Sequence, residues 1–494
     1  MTISLKHVGI LMFCYLAMSI APAQSTSTES RPTDDTNAHI EKVQNCLLPP
    51  VLVKGEQIEC TSLEKRMDEL HVHGVSIAVV HNGVIEWTRG YGIAVVGGAS
   101  VTPDTLFQAG SISKPLAAMA ALHLVQENKL ALDADVNIKL KTWKIPASPA
   151  APNATVTLRE LLTHTAGITV HGFPGYAASG SVPTLVQVLN GEKPANTSPI
   201  RVETLPGNKW NYSGGGFTVM QQLLVDTTNE PFPVLLHHTV LEPIGMKHST
   251  YEQPLPANLQ SHAAAPYKVN GDAVPEGAHT YPEMAAAGLW TTPSDIAQYI
   301  IENQRSLQGK ANHVLSPGLT QQMMKPGIGN WGLGVQIGGS PSNPYFTHGG
   351  VNEGFESLFV AYEQNGDGAV VMTNAQGGSR IAADVMRSIA VAYKWPDFQP
   401  PTRAEIKLSP AILAQYVGTY QVTPTFNFTY TLDGDQLMTQ ATGQQKFPVF
   451  AESQTRFFLK VVDAEVEFFT DDKGQVTHLM LYQNGREIKA AKTK

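Results

Sequence analysis

A serine and a lysine three residues apart, Ser111 and Lys114, stand just before an apolar run from Leu116 to Val125. If a helix begins near Ser111, the two side chains lie one turn apart on the same face. A serine hydroxyl is a weak nucleophile at neutral pH and needs a neighbouring base. A buried lysine can be that base, because desolvation lowers its pKa. The spacing therefore indicates nucleophilic catalysis.

The S-x-x-K pattern also has an ordinary structural interpretation, because it occurs by chance in a chain of this length. In that interpretation the serine is a helix N-cap and the lysine is solvated. The flanking sequence favours chemistry instead. A helix that is apolar almost all the way round must be buried, and a lysine is rarely buried without a partner.

Two further segments carry candidate functional groups. Tyr212, Ser213 and Gly214 form part of a glycine-rich turn that places an aromatic hydroxyl beside a helix, although such a segment is often only a turn. At the end of a predicted strand, His348 is followed by Gly349 and Gly350, whose small size leaves backbone N–H groups free to face a ligand. Alone, that segment is also typical of a hairpin with a surface histidine.

Taken in order, the three segments resemble the motifs of the serine β-lactamase and penicillin-binding-protein family, closest to its class C β-lactamase and DD-peptidase branch. The resemblance extends from about residue 60 to 395. It implies an α+β fold in which an antiparallel sheet is flanked by helices and interrupted by a mostly helical insert. The tail, which begins at Tyr416-Val417-Gly418-Thr419-Tyr420, resembles the lipocalin-like β domain of some members and implies a small all-β C-terminal barrel.

The resemblance also implies roles for individual residues. Ser111 is expected to be acylated, with Lys114 and Tyr212 sharing its proton and Tyr212 acting as a phenolate or a relay near the lysine. The oxyanion hole is expected to consist of the backbone N–H groups of Ser111 and Val351. His348 is the remaining catalytic candidate, and no metal or organic cofactor is required. The predicted substrate-binding residues are Ser213, Gly214, Gly349 and Gly350.

Two positions depart from the family pattern. Gly214 stands where the second motif normally has an asparagine that contacts the substrate amide. His348 replaces the lysine that helps to hold the substrate carboxylate in true β-lactamases. Both changes argue against efficient recognition of anionic penicillins, whereas H-x-G occurs in DD-peptidases and D-aminopeptidases.

The chain order predicts a secreted two-domain protein. Lys6, His7 and the apolar run Val8 to Ile20 are typical of a signal peptide over residues 1–23, with an uncleaved anchor as the alternative. After it we expect a flexible leader at 24–39, the hydrolase domain at 40–395, a linker at 396–407 and the barrel domain at 408–494. The location is expected to be periplasmic or secreted, with no stable membrane insertion after cleavage.

Local patterns predict the elements that position these residues. Asn82-Gly83 predicts a hairpin between strands Val75 to Val80 and Val84 to Thr88. Helices are expected to begin at the capping sequences Thr157-Leu158-Arg159-Glu160 and Thr292-Pro293-Ser294-Asp295. The later periodicity predicts the strands Gly332 to Ile337, Tyr345 to Thr347, Phe355 to Tyr362 and Ala369 to Thr373, then a helix Ile381 to Tyr393.

Composition excludes other classes of function. The formal net charge of −8 gives no basic surface for a nucleic acid. Cys46 and Cys60 remain after removal of the signal peptide, and in an oxidising compartment such a pair favours one disulfide, with two free thiols as the alternative.

The predicted function is that of a secreted serine hydrolase which forms an acyl-enzyme on an amide or ester bond. A small peptide with D-residues is the leading substrate class, in the manner of a DD-peptidase or D-aminopeptidase. The alternatives are a class C-like β-lactamase, a promiscuous esterase, and a penicillin-binding sensor or scaffold without turnover. The expected partner is a small-molecule or peptide substrate, and the C-terminal domain is a candidate surface for a homo-oligomer.

Overall fold

The computed structural model describes residues 34–483 and 485–493. The sheet of the hydrolase domain has six antiparallel strands, and it brings the two ends of that domain together. The strand Gly74–His81, near the start of the domain, pairs antiparallel with Gly368–Thr373, near its end. In spatial order the strands are Val84–Gly92, Gly74–His81, Gly368–Thr373, Phe355–Tyr362, Asn343–Asn352 and Gln336–Ser340.

Both faces of this sheet are covered, as the alternation of side chains along its strands requires. Ile77 and Val79 face one core with the terminal helices, whereas Ala78 and Val80 face the larger core of the helical insert. The terminal layer contains the helices Asp34–Asn45, Leu63–Leu70 and Gly378–Ala392. The α+β architecture expected from the sequence is therefore confirmed.

The insert is mainly helical and short-looped. Its longer helices are Ser113–Gln126, Gly214–Thr228 and Pro293–Leu307. The shorter ones are Leu158–Leu162, Leu185–Asn190, Phe232–Leu236, Met284–Ala287 and Pro317–Met323, with a π-helical turn at His237–Leu241. Single turns of 3-10 helix lie at Gly110–Ile112, Val136–Ile138, Gln260–His262 and Ile328–Asn330, and a two-stranded pair joins Phe107–Gln108 to Trp290–Thr291.

Several local predictions are confirmed by hydrogen bonds. Thr157 and Glu160 form a complete capping box, and Thr292 caps its helix by accepting from the Asp295 N–H. Asn82 and Gly83 both have positive φ, as a tight hairpin requires.

Two boundary predictions are wrong. The leader was expected to be flexible to residue 39, but a helix begins at Asp34 because Thr36, Ile40 and Val43 are buried on one of its faces. Residues 1–33, which include the predicted signal peptide, lie outside the described part of the chain. The strand expected from Gly332 begins only at Gln336, since the Leu333 and Gly334 N–H groups donate to carbonyls of Met323 and Leu162 instead.

The C-terminal domain is a nearly closed antiparallel barrel. Strands that follow one another in the chain pair with each other, and the first strand also pairs with the last. The exception among the described strands is Lys446–Pro448, which does not pair with Phe450–Ala451, so the barrel is open at Val449. Its interior is filled with aromatic side chains, with Phe468 in ring contact with Tyr416, Tyr420 and Tyr430. The strands are Gly418–Thr423, Phe426–Asp433, Gln436–Ala441, Lys446–Pro448, Phe450–Ala451, Arg456–Phe458, Ala464–Thr470, Val476–Gln483 and Arg486–Lys492; the helical turns Pro410–Leu413 and Ala414–Tyr416 precede them.

The barrel contacts the hydrolase domain through a loop closed by a disulfide. Cys46 and Cys60 are bonded, as predicted. Inside their loop Leu52–Val53 pairs in parallel with Thr402–Arg403 of the linker, and Glu56 accepts a hydrogen bond from Lys460 of the barrel at 2.9 Å. The predicted linker is thus partly a strand. Within residues 34–483 and 485–493, no helix has both the length and the apolar character needed to cross a membrane.

Candidate active site

Ser111 lies in the 3-10 turn that leads directly into the helix Ser113–Gln126. Its Oγ is 2.9 Å from Nζ of Lys114, as the spacing predicted. The turn is fixed by Ser113, whose hydroxyl donates to the Gly110 carbonyl at 2.6 Å and accepts from the Leu289 N–H at 3.0 Å. Ser111 is therefore not the N-cap of this helix, and its side chain is available to the lysine.

Lys114 is buried, and no described residue places an opposite charge beside it. Its side chain is only 2% exposed, and Nζ donates to two neutral oxygens, Ser111 Oγ and the Ala286 carbonyl at 2.8 Å. Burial lowers the pKa of Lys114 to about 7. A substantial fraction of this amine is consequently neutral at pH 7 and can accept the Ser111 proton.

Tyr212 comes from the turn before the helix Gly214–Thr228 and completes the cluster. Its ring centroid lies 5.1 Å from Nζ of Lys114. Burial raises the pKa of Tyr212 to about 12, and the neighbouring Ser111 hydroxyl opposes that rise only partly. The phenolate form expected from the sequence is thus unfavourable, and a neutral relay is the form that fits this geometry.

The strand Asn343–Asn352 brings the third segment against the Ser111 turn. Its pairing with Gln336–Ser340 ends at Thr347, so the residues beyond it are free on that edge to approach the turn. A Cβ built on Gly350 lies 1.9 Å from the Ala109 carbonyl oxygen, and one built on Gly110 lies 2.5 Å from the Val351 nitrogen. Only glycine permits this approach at either position. The Val351 amide is thereby held beside the Ser111 turn, where an oxyanion donor is required.

His348 lies in the same cleft but is not a cation. The ring is 4% exposed, its Nδ1–H donates to the Gly349 carbonyl at 2.6 Å, and Nε2 has no hydrogen-bond partner among the described residues. Burial, together with the nearby Lys114, lowers the pKa of His348 to about 3. The imidazole is neutral at physiological pH, so the carboxylate-holding charge of the family lysine is missing.

Ser213 and Gly214, which the sequence placed in the substrate site, have structural roles instead. The Ser213 hydroxyl accepts from the Gly216 N–H as the helix N-cap and donates to the Thr169 carbonyl, both at 2.9 Å. A Cβ on Gly214 lies 3.0 Å from Phe173 Cε2 and 3.1 Å from the His171 carbonyl. Neither residue lines the cleft, whereas Gly349 and Val351 do.

Several residues of the cleft were not identified from the sequence. The cleft has a volume of about 530 Å³, and its walls include His171, Phe173 and Trp331. Behind it, the His164 ring lies 4.2 Å from the Tyr212 ring and its Nδ1 accepts from the Ser213 N–H at 3.1 Å. His164 lies just after the helix Leu158–Leu162. Nothing in the sequence analysis marked this histidine or the loop at 171–173.

Glu283 is a buried carboxyl next to the element that supports Lys114. It is fully buried, neither oxygen has a hydrogen-bond partner in the described residues, and burial raises its pKa to about 8. Because the pKa of this carboxyl is higher in the folded than in the unfolded protein, its contribution to the free energy of unfolding depends on pH. The contribution is fully present below the pKa of the unfolded chain, about 4.3, and is lost as the pH rises toward 8.

Replacement of Glu283 by methionine should therefore stabilise the protein at neutral pH. We expect little change at pH 5 and a gain of about 3 kcal/mol in the free energy of unfolding at pH 7, because no carboxyl remains to ionise in the core. Urea unfolding of both proteins at pH 5, 6 and 7 measures the difference in their free energy of unfolding. Glu41→Gln, at an exposed position of the first helix, is the control. Parallel pH curves for Glu283→Met and the wild type would contradict the prediction.

On an α+β scaffold of this topology, a buried lysine meets a half-buried serine and a half-buried tyrosine beside a backbone edge, which is the arrangement of a serine hydrolase site. Comparison with known proteins agrees: the sequence profile of the Beta-lactamase family matches residues 61–394. The chain belongs to the Beta-lactamase family. Residues 402–492 match a second profile, described as a domain of unknown function, DUF3471. The barrel is thus similar to that domain, and the lipocalin-like resemblance stays a prediction.

Three similar proteins illustrate the extent of the relationship. Protein flp of Staphylococcus aureus strain MW2 is 27% identical over 65% of this chain and 63% of its own length. Penicillin-binding protein 4* of Bacillus subtilis strain 168 is 21% identical, over 88% of this chain and 98% of its own. The octameric penicillin-binding protein homologue from Pyrococcus abyssi has a TM-score of 0.58 at 21% identity, covering 87% of this chain and 98% of that one. The chain thus spans about 63% of the length of protein flp and nearly all of the other two.

Proposed function

We propose that this protein hydrolyses an amide or ester bond through an acyl-enzyme on Ser111, and that its substrate is a peptide containing D-residues, in the manner of a DD-peptidase or D-aminopeptidase. The observation that carries the proposal is the 2.9 Å contact between Ser111 Oγ and a lysine with no charged partner and a lowered pKa. The match to penicillin-binding protein 4* over 88% of the chain supports the peptide substrate class.

The reaction follows from the positions of the groups. Neutral Lys114 takes the Ser111 proton as Oγ attacks the carbonyl carbon, and the N–H groups of Ser111 and Val351 stabilise the oxyanion. As the intermediate collapses, the bond to the leaving group breaks and that group receives a proton from Lys114 through the Tyr212 hydroxyl. Lys114, neutral again, then takes a proton from water as the water oxygen attacks the ester carbonyl. The bond to Ser111 Oγ breaks, Lys114 returns the proton to Oγ, and the acid is released. Lys114 and Tyr212 thus carry every proton in the scheme.

The substrate class is tested by steady-state turnover of four compounds side by side. We expect a D-Ala-D-Ala peptide to be cleaved faster than its L-Ala-L-Ala counterpart and faster than nitrocefin, with p-nitrophenyl acetate as a reference ester. Intact mass with peptide mapping then locates the adduct. Preferential turnover of nitrocefin would make the protein a β-lactamase, and a permanent Ser111 adduct without turnover would make it a sensor.

We also propose that the mature protein acts in the periplasm or outside the cell and assembles through its barrel domain. The Cys46–Cys60 disulfide supports the first part, because such bonds persist in oxidising compartments. The octameric state of the Pyrococcus abyssi homologue supports the second. N-terminal sequencing of the exported protein and light scattering of the full chain against residues 34–401 test the two parts.

Acylation is expected to rise with pH through a single ionisation near 7. Below that pH Lys114 is protonated and cannot accept the Ser111 proton, whereas above it the neutral amine predominates. With His348 at a pKa of about 3 and Tyr212 at about 12, neither group titrates between pH 5 and 9. Stopped-flow acylation by p-nitrophenyl acetate from pH 5 to 9 measures the profile. A flat profile would contradict Lys114 as the base.

A further inference from the structure

The cleft has no carboxylate, and no lysine or arginine other than Lys114, among the described residues that line it. The Lys114 Nζ is engaged by Ser111 and by the Ala286 carbonyl. The other lining side chains are the rings of Phe173, Tyr212 and Trp331, the imidazoles of His171 and His348, the Gln336 amide and small or aliphatic residues.

Phe173 lies beside position 214, where the family pattern has an asparagine that contacts the substrate amide. The second motif has glycine at position 214, and a Cβ there lies 3.0 Å from Phe173 Cε2. A side chain at 214 would therefore need the phenylalanine ring to shift by a few tenths of an ångström. In this chain glycine at 214 lets the Phe173 ring pack against the backbone there, and the ring presents an apolar surface to the cleft.

We infer that Phe173 is a specificity-determining residue which adapts the cleft to uncharged, apolar groups beside the scissile bond, so that substrates with a free carboxylate or an ammonium there are disfavoured. The inference rests on the acyl-enzyme chemistry proposed above. Within that proposal it favours internal or amidated D-peptide bonds and neutral esters, and it argues against the D-aminopeptidase alternative, whose substrates carry a free ammonium beside the scissile bond. A charged group that enters this cleft loses part of its hydration and meets no side chain of fixed opposite charge, which costs more than the same loss for a neutral group.

Three p-nitrophenyl esters of equal acyl length test the inference: the methyl adipate, the hydrogen adipate and the 6-(trimethylammonio)hexanoate. We expect kcat/KM for the neutral ester to exceed that for each charged ester by about tenfold or more, a factor equivalent to about 1.4 kcal/mol. Acetyl-D-Ala-D-Ala and its C-terminal amide repeat the comparison on the leaving-group side, with the amide expected to be preferred.

Phe173→Arg supplies the missing cation and should raise kcat/KM for the hydrogen adipate relative to the methyl adipate by about tenfold. Phe173→Leu is the matched control, because it keeps an apolar wall and should keep the neutral preference. Phe173 is on a partly exposed loop, so both variants should fold.

The outcomes separate this inference from the proposed function. If the wild type hydrolyses the esters without regard to charge, or prefers a charged one, the inference is overturned even where D-peptides are cleaved. If the esters show the charge preference and neither dipeptide is cleaved, the inference holds and the D-peptide substrate is wrong. If Ser111 reacts with none of the compounds, both are refuted.

Discussion

Ser111→Ala abolishes covalent labelling by a fluorophosphonate and lowers ester turnover by about four orders of magnitude or more. The reason is chemical, since no other hydroxyl in the turn can take the place of the nucleophile. Ser113 is two residues away, but its hydroxyl is already engaged by the Gly110 carbonyl and the Leu289 N–H and faces the core. Intact mass after exposure to the probe, followed by peptide mapping, measures the result.

Ser113→Ala is the matched control for this experiment. It removes a hydroxyl from the same turn and leaves the Leu289 N–H without its buried acceptor, which should cost about 1 to 3 kcal/mol of stability. Labelling at Ser111 should nevertheless survive. A Ser111→Ala protein that still acquires the fluorophosphonate at an unchanged rate would place the nucleophile elsewhere and end the proposal.

Lys114→Met is expected to slow acylation by about a thousandfold or more while the fold is retained. Methionine has a similar length and suits the apolar surroundings, but it cannot take the Ser111 proton, and general-base catalysis contributes about 10² to 10⁴ in rate. The ionisation near pH 7 should also disappear from the remaining activity, because it belongs to Lys114. Stopped-flow acylation from pH 5 to 9 and thermal unfolding measure both effects.

The same substitution at Lys129, an exposed residue just past the end of the same helix, serves as the control and should leave rates unchanged. Lys114→Met activity within tenfold of the wild type would rule the lysine out as the base.

Tyr212→Phe separates the two proton carriers. The ring keeps its contact with His164 at 4.2 Å, so the change removes only the hydroxyl. As a relay, Tyr212 should contribute about a hundredfold, and the ionisation near pH 7 should remain in the variant's profile. If that ionisation vanishes in Tyr212→Phe and persists in Lys114→Met, the phenol rather than the amine is the base.

Local elements were the most predictable part of this fold, because their signals lie within a few residues of chain. The capping box at Thr157 and Glu160 and the hairpin at Asn82 and Gly83 depend on short-range hydrogen bonds and backbone preferences. The leader helix at Asp34–Asn45 was missed because its stability comes from burial against the rest of the domain, where Ile40 and Val43 pack. A polar, proline-containing flank gave no sign of that contact.

The candidate site shows the same division between local and distant information. The sequence by itself determined that a serine and a lysine share one helical face, and that a tyrosine and a histidine follow in separate motifs. The tertiary structure supports Lys114 over Tyr212 as the proposed base, because burial moves the pKa of Lys114 down to about 7 and that of Tyr212 up to about 12.

The tertiary structure also removed Ser213 and Gly214 from the substrate wall and placed Phe173 there. A pKa and a cleft wall are set by the atoms that surround a group, and those atoms come from segments far apart in the chain. The order of residues fixes which groups are present, whereas their protonation and their access to a substrate depend on how the folded chain excludes water from them.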